Sequence, residues 1–234
     1  MLCRTWSLAK APIRALMYLR DRTSVVCSVS EEREMRLHST NSESSWSVPL
    51  GGIGYCVSAN MGSNTGLFAV GMSGGAVAIY DCRRLSLPLH LMDIVDPTGK
   101  RHGVSSVYYK DNLLVTNSMD STVRIWDIKD TVKHVQTLQG GHINQRFYIQ
   151  MDVCNPLVAV GCEMNHVVVY RMGLHQPLAK LQLPSVAAFE RQEAVVVGVD
   201  HYVASARPSV LSWFNDSEVV VSDVSGRVHI INKT

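Results

Sequence analysis

Few residues in this chain stand at spacings that could do chemistry. His102 closes the run Gly99-Lys100-Arg101, His142 follows Gly141, and Asp120 lies between Ser118 and Trp126. A His–Asp pair could serve as a general base, but it would then need a nucleophile within reach and donors for the charge that develops. No nucleophile motif, phosphate loop or metal-ligand spacing accompanies these residues. The six cysteines, at 3, 27, 56, 82, 154 and 162, form no C-x-x-C pair and sit mostly inside apolar runs. They read as reduced, buried thiols of the nucleus or cytoplasm. No catalytic residue, cofactor or metal is therefore expected. Ser118, Asp120, Trp126 and His142 suit a structural task instead: hydroxyl, carboxylate, indole and imidazole paired inside strands, because buried polar groups need partners.

The elements that would hold such a network repeat along the chain. Five segments share a short apolar strand ending in a small residue, then a polar turn: Ser24–Ser28, Leu67–Gly71, Leu113–Asn117, Leu157–Gly161 and Glu218–Ser222. Their small residues, at 28, 71, 117, 161 and 222, are spaced 43, 46, 44 and 61 apart. A second strand rich in Val, Ile and aromatics follows each: Glu34–His38, Ala76–Asp81, Thr122–Asp127, His166–Arg171 and Arg227–Ile231. A period of about 40–45 residues, with four short strands in each unit, is the signature of a WD-type propeller blade. The expected fold is all-β, a WD-repeat β-propeller with about five recognisable blades of a partial or degenerate seven-bladed ring. The blades should span about 9–50, 51–95, 99–139, 141–184 and 208–234 within one domain of residues 1–234, with an insertion at 185–207 explaining the longest spacing. In such blades a turn Asp, a strand hydroxyl and the Trp indole join a His, and the third unit should hold Ser118, Asp120 and Trp126 in those places.

Composition narrows the function classes. Apolar residues make up 46% and net charge is +2, an ordinary globular balance with no field for nucleic acid or anionic membrane. No stretch approaches the roughly 20 apolar residues that a membrane span needs, and the N-terminus lacks the apolar run of a secretory signal. A protein-binding scaffold is expected, not an enzyme.

The order of motifs is more specific than a generic propeller. Gly141-His142-Ile143-Asn144-Gln145 runs into Phe147-Tyr148-Ile149, and then come Gly161-Cys162-Glu163-Met164-Asn165 and a strand ending in Tyr170. Asn117-Ser118-Met119-Asp120-Ser121-Thr122 leads to Ile125-Trp126-Asp127, Tyr80-Asp81-Cys82-Arg83 lies earlier, and Ser225-Gly226-Arg227-Val228-His229-Ile230-Ile231 lies near the end. This resembles the C-terminal WD propeller of the constitutive photomorphogenic E3 ubiquitin ligases and of the related phytochrome-suppressor and UV-B repressor proteins. The resemblance covers about residues 10–234 and begins inside the family's propeller. The family's RING finger and coiled coil are not on this stretch, so ubiquitin transfer is not expected to be intrinsic to it.

The resemblance implies substrate recognition in a ubiquitin-ligase pathway leading to proteasomal degradation, with a generic WD scaffold in another complex as the alternative. The family's propeller binds short peptides with a Val-Pro pair beside acidic residues. Carried over, its pocket falls on Tyr148, on His102 with Lys100 and Arg101 just before it, and on Tyr55; Ile13 falls where the family has a Trp. The tetrapeptide Tyr80-Asp81-Cys82-Arg83 resembles the box through which many WD propellers dock on a cullin–RING ligase adaptor, which makes Tyr80, Asp81 and Arg83 candidates for that contact.

Overall fold

Polar and apolar side chains alternate along Glu34-Met35-Arg36-Leu37-His38, and the chain forms a strand there with Met35 and Leu37 buried. The run Leu157–Cys162 is apolar or small throughout and forms a strand buried on both faces. These two patterns recur. The computed structural model describes residues 9–19, 25–42, 44–62, 66–129, 132–183, 208–215, 218–223 and 228–232; all its elements among these are strands. The proposed insertion at 185–207 lies outside the described residues.

Five sheets follow one another, each strand hydrogen-bonded to the next in chain order. The first holds β1 (Ile13–Tyr18), β2 (Val25–Ser30), β3 (Glu34–Ser39) and β4 (Ser45–Pro49). The second holds β5 (Gly54–Ala59), β6 (Leu67–Met72), β7 (Ala76–Asp81) and β8 (His90–Asp93). The third holds β9 (Val104–Lys110), β10 (Leu113–Ser118), β11 (Thr122–Asp127) and β12 (Lys133–Leu138). The fourth holds β13 (Met151–Cys154), β14 (Leu157–Cys162), β15 (His166–Arg171) and β16 (Ala179–Gln182), and the last β17 (Pro208–Asn215), β18 (Glu218–Asp223) and β19 (Val228–Asn232). The chain divides into two compact units, residues 1–136 and 137–234, with the boundary inside β12.

The repeat is exact at the level of register. On the third strand of each sheet one position pairs with the second residue of the six-residue strand before it: His38 with Val26, Tyr80 with Phe68, Trp126 with Leu114, Tyr170 with Val158 and Ile231 with Val219. These third-strand residues therefore occupy one register position in every sheet. In the first unit one core gathers Val29, Met35, Phe68 and Val70, and another Ile79, Val104, Tyr109 and Leu114. In the second unit Ala159, Val167, Leu183 and Val221 pack together. The small residue that closes each second strand has a packing reason at Gly71, where a Cβ would come within 2.5 Å of Cys56 Sγ and 2.9 Å of Val104 Cγ1.

Candidate functional site

The four network residues fall on two blades. In the third, the Trp126 indole N–H donates to Thr116 Oγ1 at 3.1 Å. Trp126 itself is only partly buried and lies against His134, ring centroids 5.2 Å apart. Asp120 accepts from the Thr122 hydroxyl at 2.6 Å and pairs with Arg124 at 2.7 Å, and the same Arg124 nitrogen reaches the Val95 carbonyl at 3.1 Å. Burial pushes the Asp120 carboxyl up, but the Arg124 and Thr122 bonds outweigh it and hold it below the usual carboxylate range. Ser118 Oγ lies 3.4 Å from the carbonyl oxygens of His102 and Gly103. The strand hydroxyl that meets the indole is thus Thr116, not Ser118: both share a face with Leu114, the cross-strand partner of Trp126, but Thr116 is two residues from it and Ser118 four, opposite Thr122. In the fourth blade His142 meets Tyr170, its Nδ1 2.8 Å from the phenol oxygen, which also accepts the Gly141 N–H at 3.1 Å. Burial raises the Tyr170 phenol to about 12. Burial likewise raises the thiols of Cys27 and Cys56 to about 12, which leaves them protonated and inert at neutral pH.

In the first unit the basic run sits on a tight turn. Asp96 Oδ1 accepts from the Thr98 hydroxyl at 2.6 Å, the Thr98 N–H at 2.8 Å and the Lys100 N–H at 3.0 Å, and Gly99 supplies the left-handed residue at φ +83°. The Thr98 hydroxyl and His102 hold the Asp96 carboxyl well below the usual carboxylate range. His102 Nε2 donates to Asp96 Oδ2 at 2.9 Å, and Arg101 pairs with Asp93 at 2.6 Å. Lys100 and Arg101 are exposed, His102 and Tyr55 partly buried. The Tyr55 ring lies over Gly103, where a Cβ would meet Cε2 at 2.9 Å, so Tyr55 and the basic run are neighbours. Ile13 begins β1 and is exposed.

In the second unit Tyr148 lies on the loop ahead of β13. Ile143 and Phe147 on the same loop, and Met164 on the turn hydrogen-bonded to it, are also exposed and were not singled out as site residues by sequence reasoning. Exposure of an apolar side chain has no signature in periodicity, so the motif runs that contain Ile143, Phe147 and Met164 do not by themselves mark them as surface residues. Glu163 in that turn accepts at Oε1 from the N–H groups of Gln145, Arg146 and Phe147 at 2.6, 2.7 and 3.3 Å.

The tetrapeptide 80–83 divides. Tyr80 is buried and stacks on Phe68, centroids 5.6 Å apart, so its ring belongs to the core and the expectation that it touches an adaptor is corrected. Arg83 is exposed and forks onto Asp81, Nε to Oδ1 at 2.8 Å and a terminal nitrogen to Oδ2 at 2.7 Å. Beside it an apolar cavity of about 200 Å³ is lined by Leu19, Val25, Leu37, Trp46, Cys82 and Leu85. Among the described residues no group of His, Cys, Asp and Glu could hold a metal ion, and no helix is long and apolar enough to cross a membrane.

Repeated antiparallel sheets, four of them four-stranded, with one shared register position define a WD-repeat β-propeller. The WD40 β-propeller domain of Doa1 superposes with a TM-score of 0.69 at 15% identity, covering 96% of this chain and 66% of that one, a likeness of fold alone. No protein-family model matches the chain. Among curated proteins it is similar to the E3 ubiquitin-protein ligase COP1 of Pisum sativum, 32% identical over 163 residues covering 69% of this chain and 23% of that protein. It is also similar to COP1 of Arabidopsis thaliana, 28% identical over 207 residues, 88% of this chain and 28% of that one. The chain is thus a WD-repeat scaffold related to the COP1 group, as the motif order implies, and it spans about a quarter of the length of these relatives.

Proposed function

We propose that the chain recognises short protein segments, those with an acidic flank beside a Val-Pro pair, and presents them within a ubiquitin-ligase pathway of the nucleus or cytoplasm. The observation that carries this reading is the loop of exposed apolar side chains around Tyr148 on an otherwise well-packed blade. Exposed aromatics on a rigid support bury large area at little entropic cost, and a Pro ring packs well on them. The basic run Lys100–His102 of the first unit, with Tyr55 beside it, is a separate candidate contact. Its exposed ion pair already engages Arg101, so each cation adds little, about 0–1 kcal/mol, and its effect weakens with salt.

Relatedness to a ligase supports the pathway, and Arg83 supports an adaptor contact. Its fork is held by Asp81 at the surface beside an apolar cavity, which favours a partner offering a carboxylate or carbonyl next to an apolar side chain. The test is a titration of a fluorescent acidic Val-Pro peptide against the wild type, Tyr148→Ala and the double variant Lys100→Glu/Arg101→Glu. Tyr148→Ala should weaken binding most, and the double variant should weaken it at low salt only. Equal binding by all three, or none even at low salt, would leave a generic WD scaffold as the better account.

A further inference from the structure

Glu163 does something that this recognition reading leaves unexplained. Three consecutive backbone N–H groups, of Gln145, Arg146 and Phe147, converge on one of its oxygens. Consecutive amides that converge in this way commonly form an anion site, and here the chain supplies its own anion. Glu163 is fixed in turn: its N–H donates to the Ile143 carbonyl at 3.0 Å, while the Ile143 N–H donates to Cys162 Sγ at 3.2 Å. The turn at 162–163 and the loop at 143–147 are therefore laced from both sides.

Residues 145–148 are all exposed, and Glu163 supplies the acceptor for three of the amides in this stretch. Without the carboxylate, three amides would turn to water, and the loop would have to be ordered when a ligand arrives, at a cost in affinity. With it, Phe147 and Tyr148 are set before binding. The Glu163 charge faces the amides, while Arg146 stands exposed beside the aromatics. The loop and the turn bonded to it thus carry four exposed apolar side chains, Ile143, Phe147, Tyr148 and Met164, and the exposed cation of Arg146.

We propose that Glu163 is the positioning residue of this surface, and that Ile143, Phe147, Tyr148 and Met164, with Arg146 beside them, take a peptide's apolar residue flanked by a carboxylate. This rests on the recognition reading above and deepens it. The acidic Val-Pro peptide is titrated against the wild-type chain, Glu163→Ala, Glu163→Gln and Tyr148→Ala, with amide hydrogen exchange and thermal melting followed in each.

In Glu163→Ala the amides of 145–147 should exchange faster and affinity should fall about ten-fold, as for loss of an interface anchor. Glu163→Gln keeps an acceptor oxygen but not the charge, and should recover most of that affinity, to within about three-fold of wild type, since neutral acceptors bind amides less strongly. Tyr148→Ala should lose affinity while the same amides stay protected. A wild type that does not bind overturns the recognition reading. A wild type that binds, with Tyr148→Ala impaired but both Glu163 variants binding and exchanging as wild type, overturns the positioning role alone. Should Glu163→Ala not fold, Glu163→Gln decides: faster exchange confined to 145–147 with a modest loss of affinity supports the role, and no change in either overturns it.

Discussion

The phenol of Tyr170 and the imidazole of His142 meet at 2.8 Å. Because the phenol oxygen already accepts the Gly141 N–H, it can donate its own proton to Nδ1 and satisfy both partners. Trp126 holds the equivalent register position in the third blade and bonds to Thr116 instead. A phenol hydroxyl reaches the loop that carries the histidine, whereas an indole N–H reaches a hydroxyl on the neighbouring strand. The same strand position thus locks its blade by two different bonds.

Tyr170→Phe removes the partner of a buried N–H and of His142 and should cost about 1–3 kcal/mol. Gly141→Ala should cost about as much or more, since its Cβ would stand 2.6 Å from the Tyr170 oxygen and 2.7 Å from Val168 Cγ1. Thermal melting of both variants checks this; unchanged midpoints would remove the lock.

Tyr170 also sets an alkaline limit. Its folded value is raised to about 12 from an ordinary 10.0. The unfolded chain therefore loses this proton first, and the contribution, full below pH 10, falls away as pH rises towards 12. Urea midpoints measured from pH 9 to 12 should fall more steeply in wild type than in Tyr170→Phe.

Trp126→Ala should destabilise by about 2–4 kcal/mol, less than the ~3–5 kcal/mol typical of a fully buried large aromatic. The reduction follows from the partial burial of Trp126, and the remaining cost includes the lost indole bond to Thr116, whose hydroxyl keeps only its long 3.5 Å bond to the Arg124 carbonyl. Trp126→Phe separates the two, keeping the packing and losing the bond, and should fall between wild type and Ala.

Asp120 governs acid behaviour in the third blade. Its folded value is depressed below that of the unfolded chain, so its contribution is present above the ordinary carboxylate value and is lost as pH falls through the folded one. Melting midpoints from pH 6 down to 2 should therefore drop less in Asp120→Asn than in wild type. Equal slopes would mean the Arg124 pair does not couple to folding.

The inner strands are legible in the sequence, and β7, β11 and β15 to the residue, because inner strands buried on both faces keep unbroken runs of Val, Ile and aromatics. Outer strands are not: β4, Ser-Trp-Ser-Val-Pro, is largely exposed and its pattern is free to drift. Tyr148 and the basic run were reachable through family resemblance. That His102 and Arg101 are tied to Asp96 and Asp93 depends on how the turn closes, although Asp96-Pro97-Thr98-Gly99 is itself a readable turn signal. The grip of Glu163 on three amides depends on two segments eighteen to sixteen residues apart meeting at one oxygen, which no local pattern encodes.

The most direct test of the account is amide hydrogen exchange on the whole chain with and without a saturating acidic Val-Pro peptide. The account predicts new protection at residues 142–149 and none in the loops 31–33 or 155–156. No added protection at 142–149 under saturating peptide, or protection confined to other segments, would contradict it.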